Sequence, residues 1–151
     1  MAITTAVANS YKSEVLAGTH AAADVYKIAL IKVGAAGTYG ASTTNAGTPG
    51  TGAPTTANLG TDEVTGTGYT SGGATLAGFS ITGTTTARLD FTTPTWATST
   101  ISAIGAIIYN SSKSNKVVAV CDFGGTITST AGTFTANMPT VGDATSLVRI
   151  A

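Results

Sequence analysis

The sequence predicts a mainly all-β fold, an antiparallel β-sandwich of which a jelly roll is one form, with one short N-terminal helix. Three observations predict it. Apolar residues after position 24 alternate over short runs, Gly-rich stretches separate these runs, and only the first segment has helical spacing. At 151 residues the chain fits a single domain, 1–151, with one core.

The N-terminal segment 1–18 is predicted to hold the helix, at about residues 5–16. Thr4 or Thr5 can cap its start and Gly18 can end it. The apolar stripe of this helix consists of Val7, Ala8, Tyr11 and Val15. This stripe must pack either on the domain's own sheet or on a neighbouring subunit.

Residues 25–33 have the pattern of a strand with two apolar faces, which suits the middle of a sandwich. Shorter strands are expected after position 73, and the strongest hairpin candidate turns at 110–115. The expected later strands are GATLAGFSI, TARLDF, STISAIGAIIY, KVVAVCDF, GTFTANMP and SLVRIA.

Residues 34–61 are rich in Gly, Thr, Ala and Pro, and Tyr39 and Leu59 are almost their only large apolar side chains. Such a segment buries too little surface to offset its ordering entropy. We therefore expect a flexible surface loop, or an arm that becomes ordered against a neighbouring subunit.

The charge content is the most informative part of the composition. Only 9% of the residues are charged, against about 25% in typical domains, and seven basic residues balance seven acidic ones. Zero net charge favours association. The scattered Lys and Arg residues argue against nucleic-acid binding. No apolar run approaches the roughly 20 residues of a membrane span, and no secretory signal is expected.

The stretch KVVAVCDFGG at 116–125 invites a catalytic interpretation, because it contains the only cysteine and an Asp-Phe-Gly triplet. On a strand, Cys121 shares a face with Val117 and Phe123, which predicts a buried thiol. His20 is the only possible imidazole partner, and a Cys121–His20 pair is the alternative. Other kinase segments are missing, so Asp122–Gly125 is predicted to be a strand end followed by a turn.

The acidic residues and glycines offer no better site. Asp62 and Glu63 are adjacent and poorly placed for acid–base catalysis. Asp90 and Asp122 could meet to hold calcium, but no loop has a calcium-site pattern. One His and one Cys are too few for zinc. The glycines of GTGYTSGG, residues 66–73, indicate turns and a close backbone approach more than a dinucleotide site. We predict no catalytic, cofactor or metal residue, and no small-molecule ligand.

Trp96 is the remaining candidate, as either a core anchor or a platform for sugars. If the chain were a carbohydrate-binding module, Trp96 and Tyr109 would stack on the ligand.

Several segments together resemble small virion structural proteins of tailed bacteriophages, the group of capsid decoration (cement), head fibre and minor structural proteins. The resembling segments are NSYKSEVLAGTH, DVYKIALIKV, EVTGTGYTSGGATLAG, the run from ARLDF to CDFGG, GTFTANMP and SLVRIA. The most specific are GTGYT and the hairpin from Tyr109 to Gly124. Residues 34–61 look longer than in the group, so no contacts of this loop are carried over.

The resemblance implies a non-enzymatic component of the virion, made in the bacterial cytoplasm and placed on the capsid surface. Its partners would be the major capsid protein and copies of itself. We expect a cement protein that stabilises joints between capsid subunits; a tail or head fibre that recognises the host surface, and a carbohydrate-binding module, are the alternatives. The candidate assembly contacts are Tyr11, Val15, Leu16, Tyr39 and Leu59.

Overall fold

The computed structural model describes residues 2–139 and 146–151. The described chain is mainly β, with antiparallel sheets packed together and one helix, which confirms the predicted fold class. The strands are β1 (Ala2–Ile3), β2 (Ala6–Val7), β3 (Tyr26–Lys32), β4 (Thr38–Tyr39), β5 (Ala74–Thr75), β6 (Ser80–Thr82), β7 (Ala87–Asp90), β8 (Thr95–Asn110), β9 (Lys116–Thr135) and β10 (Val148–Ile150). Helix α1 spans Asn9–Leu16, and 3-10 turns span Gly60–Asp62 and Ser111–Lys113.

The largest sheet has five strands in the order β2–β9–β8–β3–β5, all antiparallel to their neighbours. Strands β8 and β9 form the predicted hairpin. Ser114 and Asn115 in its connection have φ values of 53° and 61°. Strand β3 is buried on both faces, since Ile28 to Ile31 are all 0% exposed, so it lies in the core as its two apolar faces predicted.

A second antiparallel sheet has the order β10–β7–β6. Aromatic rings connect it to the five-stranded sheet. Phe79 and Phe91, just outside β6 and β7, each lie 5.3 Å from the ring of Tyr26 on β3, measured between ring centroids. Rings at this spacing pack favourably and exclude water. The short strands β1 and β4 pair in parallel.

The predicted start of the helix, at about residue 5, was wrong. Residues Ala6 and Val7 form β2 and pair with β9, and α1 begins only at Asn9. The Ala8 amide bonds the Val118 carbonyl, so tertiary pairing with β9 overrides the helical spacing before that point. Neither predicted threonine caps the helix, because the N-cap is Ala8.

The predicted helix end is confirmed. Gly18 adopts φ +66°, and its amide bonds the carbonyl of Val15. The next amide, of Thr19, bonds the carbonyl of Glu14. This pair of bonds is the Schellman arrangement, which needs a residue with positive φ at the position of Gly18.

At Asp122–Gly125 the predicted turn chemistry is present, but the prediction that the strand ends there was wrong. The Gly124 amide donates to Asp122 Oδ1 at 2.9 Å, and Gly124 has φ +72°. Residues 123–126 bulge opposite the single residue Ile104, and pairing with β8 then resumes at Ile127. The GTFT run, predicted as a separate strand, is the end of β9.

The segment 34–61, predicted to be a flexible loop or arm, is packed against the domain in the structure. Its backbone bonds the start of β9, through Ala46 N to the Asn115 carbonyl and Val117 N to the Thr44 carbonyl. Tyr39 and Leu59 are 1% and 0% exposed. The segment has few large apolar side chains to bury, and it is held in place by these hydrogen bonds and by the buried side chains of Tyr39 and Leu59.

Candidate functional site

The structure separates the five candidate contact residues into two groups. Tyr11, Tyr39 and Leu59 are buried, at 6%, 1% and 0% exposure, so they are core residues, and Tyr11 also lines a surface groove. They are buried because this Gly-rich chain has few large side chains with which to fill its interior. Val15 is half-buried, and Leu16 is 90% exposed at the end of α1.

Val15 and Leu16 lie in a groove between α1 and β10, which we call the α1–β10 groove. It has a volume of about 370 Å³. Its lining residues are Val7, Tyr11, Lys12, Val15, Leu16, Val148, Arg149, Ile150 and Ala151. The groove therefore joins the helix, the edge of the five-stranded sheet and the edge of the three-stranded sheet in one concave surface.

Exposed aliphatic side chains concentrate at this groove. Leu16 and Ile150 line it, with 90% and 55% of their surface exposed. Ile81, 65% exposed, lines an adjoining cleft that also contains Val15 and Ile150. Ile81 and Ile150 could not be identified from the sequence, because alternation along a strand shows that two faces differ but not which face is covered. A contiguous apolar surface of this kind marks a contact site.

Cys121 is buried, as predicted. It is 4% exposed, and burial raises the pKa of its thiol to about 12. Its neighbour across the sheet is Ala106. A thiol with so high a pKa is almost entirely protonated at neutral pH and is a poor nucleophile.

We expect Cys121 to react with a thiol reagent only when the protein unfolds, and Cys121→Ala to cost about 1 kcal/mol of stability. A colorimetric thiol assay in buffer and in urea checks the first expectation, and urea unfolding checks the second. Thr84→Cys in the Cys121→Ala background, at an exposed turn position, is the positive control and should react at once. Fast labelling of native Cys121 would contradict its burial.

His20 belongs to a polar cluster at the hairpin end of the five-stranded sheet and has no contact with Cys121. Its Nε2 lies 2.9 Å from Glu14 Oε2, and its Nδ1 lies 2.9 Å from Asn110 Nδ2. Lys116 Nζ donates to the other oxygen of Glu14 at 2.6 Å. The cysteine–histidine alternative was therefore wrong, and the cluster ties α1 to the hairpin.

Glu14 makes this cluster sensitive to acid. Burial alone would raise the pKa of Glu14, but the hydrogen bonds from Lys116 and His20 outweigh burial and lower it. A lowered carboxyl pKa contributes stability above the unfolded pKa of about 4.3, and this contribution is lost as pH falls through the folded pKa.

We therefore expect Glu14→Gln to lower the free energy of unfolding near neutral pH, and the difference from wild type to shrink below about pH 4. Urea unfolding across a pH series measures this. Lys116→Gln removes the partner instead and should lose its effect over the same pH range. A Glu14→Gln difference that is constant down to about pH 3 would contradict the role of the ion pair.

Asp62 and Glu63 are both buried, at 1% and 2% exposure, and serve two different loops. Asp62 accepts hydrogen bonds from Tyr39 Oη and from two backbone amides, those of residues 36 and 37. Glu63 accepts bonds from Tyr69 Oη at 2.8 Å, Ser71 Oγ at 2.7 Å and one further amide at 2.7 Å. Their side chains have separate partners, as expected for structural acids and not for a catalytic pair.

The other candidates for chemistry have structural partners. Asp90 accepts a bond from the Leu147 amide, and Asp122 from the Gly124 amide. Across residues 2–139 and 146–151, no group of three or more His, Cys, Asp or Glu side chains is arranged to hold a metal ion.

Trp96 is a core anchor. It is 7% exposed and packs between Tyr69 and Phe134, at centroid distances of 6.0 and 5.7 Å. Tyr109 is 2% exposed, and its hydroxyl donates to the Gly72 carbonyl at 2.7 Å. Neither ring has a free face on which a sugar could stack, so the sugar-stacking hypothesis for these two residues was wrong.

Comparisons with protein-family models, curated proteins and solved structures found no match to this chain. No helix in the described part of the chain is long and apolar enough to cross a membrane. The function must be inferred from the residues and surfaces of the chain itself.

Proposed function

We propose that this protein is a non-enzymatic structural component of a tailed-bacteriophage virion, a capsid decoration protein that stabilises joints between major capsid subunits. The α1–β10 groove carries the proposal. It leaves Leu16 and Ile150 exposed on a protein in which only 9% of residues are charged and the net charge is zero. Such a surface is typical of a part held in lasting contact with other subunits.

The resemblance of the sequence segments to phage virion proteins supports the same role. Two of the most specific segments adjoin each other through Tyr109, whose hydroxyl bonds Gly72 next to the GTGYT run. These two segments are therefore neighbours in the fold, one on β8 and the other in a turn.

The mechanism would be mechanical. A cement protein bound across a joint has to be detached before the joint can open, so its binding free energy adds to the stability of the shell. Capsid symmetry repeats the same contact many times, and modest contacts therefore sum to a large effect.

Location in the particle tests this role. Labelled antibody against the protein should mark the heads of intact particles in electron micrographs. Label on the tail, or on projecting fibres, would instead support the alternative role in recognising the host surface. Absence of the protein from purified particles would overturn both virion roles.

Particle stability tests the mechanism. Heads lacking the protein should release DNA at a lower temperature than complete heads, and added wild-type protein should restore the higher temperature. Leu16→Ser should restore it poorly. Val33→Ser is the matched control, because Val33 is 51% exposed but does not line the α1–β10 groove, and this variant should restore stability fully.

A further inference from the structure

A buried histidine joins the connection between α1 and β3, residues 17–25, to the hairpin end of the five-stranded sheet. The side chain of His20 is only 3% exposed. Its Nε2 lies 2.9 Å from Glu14 Oε2 on α1, and its Nδ1 lies 2.9 Å from Nδ2 of Asn110, the last residue of β8. Both ring nitrogens therefore have a partner, and these partners determine which nitrogen carries the ring proton.

Asn110 and Asp24 fix the position of that proton. The hydrogen bonds from Asn110 and from the Ala21 amide lower the pKa of Asp24, so its carboxylate is ionised at neutral pH and can only accept. The Asn110 atom that lies 2.8 Å from Asp24 Oδ2 therefore has to be the amide nitrogen. This nitrogen donates one hydrogen to Asp24 and the other to His20 Nδ1. The neutral ring then carries its proton on Nε2 and donates it to Glu14.

A second proton on this ring has no acceptor. It would be bound to Nδ1 and would point at an N–H donor of Asn110. Turning the Asn110 amide over would bring its oxygen to His20, but would also place that oxygen against the carboxylate of Asp24. Protonation of the ring therefore costs Asn110 one of its two hydrogen bonds, either to His20 or to Asp24.

The charges nearby do not remove this conflict. The titratable groups around His20 and its partners are Tyr11 and Glu14 on α1, Asp24 in the connection, Tyr26 on β3, Lys113 in the 3-10 turn and Lys116 on β9. Burial raises the pKa of Tyr11 to about 12 and also raises that of Tyr26, so both rings are neutral. Each carboxylate already has a lysine partner, Lys116 at 2.6 Å from Glu14 and Lys113 at 3.6 Å from Asp24. These lysines reduce the attraction of the carboxylates for a charged ring.

We propose that His20 and Asn110 form a proton-sensitive link, which holds residues 17–25 against the hairpin while the ring is neutral and weakens when the ring takes up a second proton. Imidazole is the side chain that changes charge between about pH 5 and 8, so the link responds to mild acid. The pKa of Glu14 is lowered, so Glu14 stays ionised in this range. The inference does not depend on the proposed function.

Nitrogen-15 nuclear magnetic resonance of the full-length protein tests the position of the proton. His20 is the only histidine in the chain, so its ring signals are unambiguous. At about pH 8 the spectrum should show a proton on Nε2 and none on Nδ1. A proton on Nδ1 at this pH would overturn the inference, because Asn110 could not then donate to the ring.

Hydrogen exchange tests the link itself. As acid protonates the ring, the amides of residues 19–24 should become less protected, after correction for the intrinsic pH dependence of exchange. His20→Gln is the control, because glutamine takes up no proton in this range and its amides should show no such step. Protection that is independent of ring protonation in the wild-type protein would contradict the proposed link.

Asn110 variants test whether the amide opposes the second proton. Asn110→Ala removes the opposing donor, so the midpoint of the His20 ring titration should rise by about 0.5 to 1 pH unit, the equivalent of one hydrogen bond. Asn110→Asp supplies an acceptor and should raise the midpoint further. Asp122→Ala, on another part of β9, should leave the midpoint unchanged.

Circular dichroism shows whether the Asn110 variants are folded, since Asn110 is 0% exposed. An unchanged or lower midpoint in a folded Asn110→Ala protein would overturn the inference. If neither variant folds, the ring spectrum and the exchange comparison with His20→Gln decide the question, because both use a protein in which Asn110 is intact.

Discussion

Gly73→Ala is expected to destabilise the protein by about 4 kcal/mol or more, a large part of the 5–15 kcal/mol typical of a domain. Gly73 has φ +71°, and a Cβ built on it would overlap the carbonyl oxygen and carbon of Ile28 on the central strand β3. The clash is with backbone in the core, so a rotamer change cannot relieve it. Urea unfolding measures the loss.

The neighbouring glycine supplies the control. Gly72 also has positive φ, +89°, but a Cβ there would have only Tyr109 Oη at 3.5 Å and Lys27 Nζ at 3.6 Å as neighbours. Gly72→Ala should therefore cost only the backbone strain, about 1 kcal/mol. Equal losses in the two variants would show that the close approach to β3 contributes nothing beyond backbone conformation.

Asp62→Ala is expected to cost about 3 kcal/mol, because it removes the charged acceptor of three hydrogen bonds and leaves the buried Tyr39 hydroxyl with only its long bond to the Leu59 carbonyl, at 3.4 Å. Tyr39 Oη lies 2.6 Å from the carboxylate, and the amides of Ala36 and Gly37 lie at 2.9 and 2.7 Å. Burial, and then the bond to Asp62, raise the pKa of the Tyr39 hydroxyl, which therefore remains a donor throughout the physiological range.

Hydrogen exchange separates the local effect from the global one. In Asp62→Ala, the amides of Ala36 and Gly37 should exchange faster than the loss of global stability alone explains. Asp122→Ala is the control, because its carboxylate is exposed and bonds the nearby Gly124 amide, and it should change stability by less than about 0.5 kcal/mol. If the two variants were equally stable, Asp62 would not anchor its loop.

Sequence patterns predicted the features that depend on local chemistry. Two apolar faces predicted the buried strand β3, and Gly18 predicted the helix end. Alternation on β9 predicted the burial of Cys121. In each case the information lies within a few neighbouring residues, so periodicity and turn preferences are sufficient.

Features that depend on distant partners could not be predicted. Residues 6 and 7 fit a helical stripe but form a strand, because β9 offers them backbone bonds. Residues 34–61 were predicted to be flexible, because their composition does not reveal the hydrogen bonds that Asp62 and Asn115 make with the segment. The prediction that Tyr39 is a contact residue followed from the same composition, but Tyr39 is buried.

The candidate site likewise combines residues that the sequence predicted with residues that it did not. Val15 and Leu16 were predicted from the apolar stripe of the helix, and the structure places both at a surface groove. Ile81 and Ile150 complete that surface, but they lie more than 60 residues away in the chain. Only the folded arrangement of the three-stranded sheet brings them beside α1.

The neighbouring carboxylates Asp62 and Glu63 have a consequence for a broken chain. Asp62 accepts hydrogen bonds from residues 36–39, and Glu63 accepts them from residues 69–72. The two adjacent carboxylates therefore hold the chain segments on both sides of them in sequence. A protease cut within residues 48–57 would leave the upstream fragment fastened to the downstream one without a peptide link. Nicking at this outer loop should therefore release no fragment under native conditions.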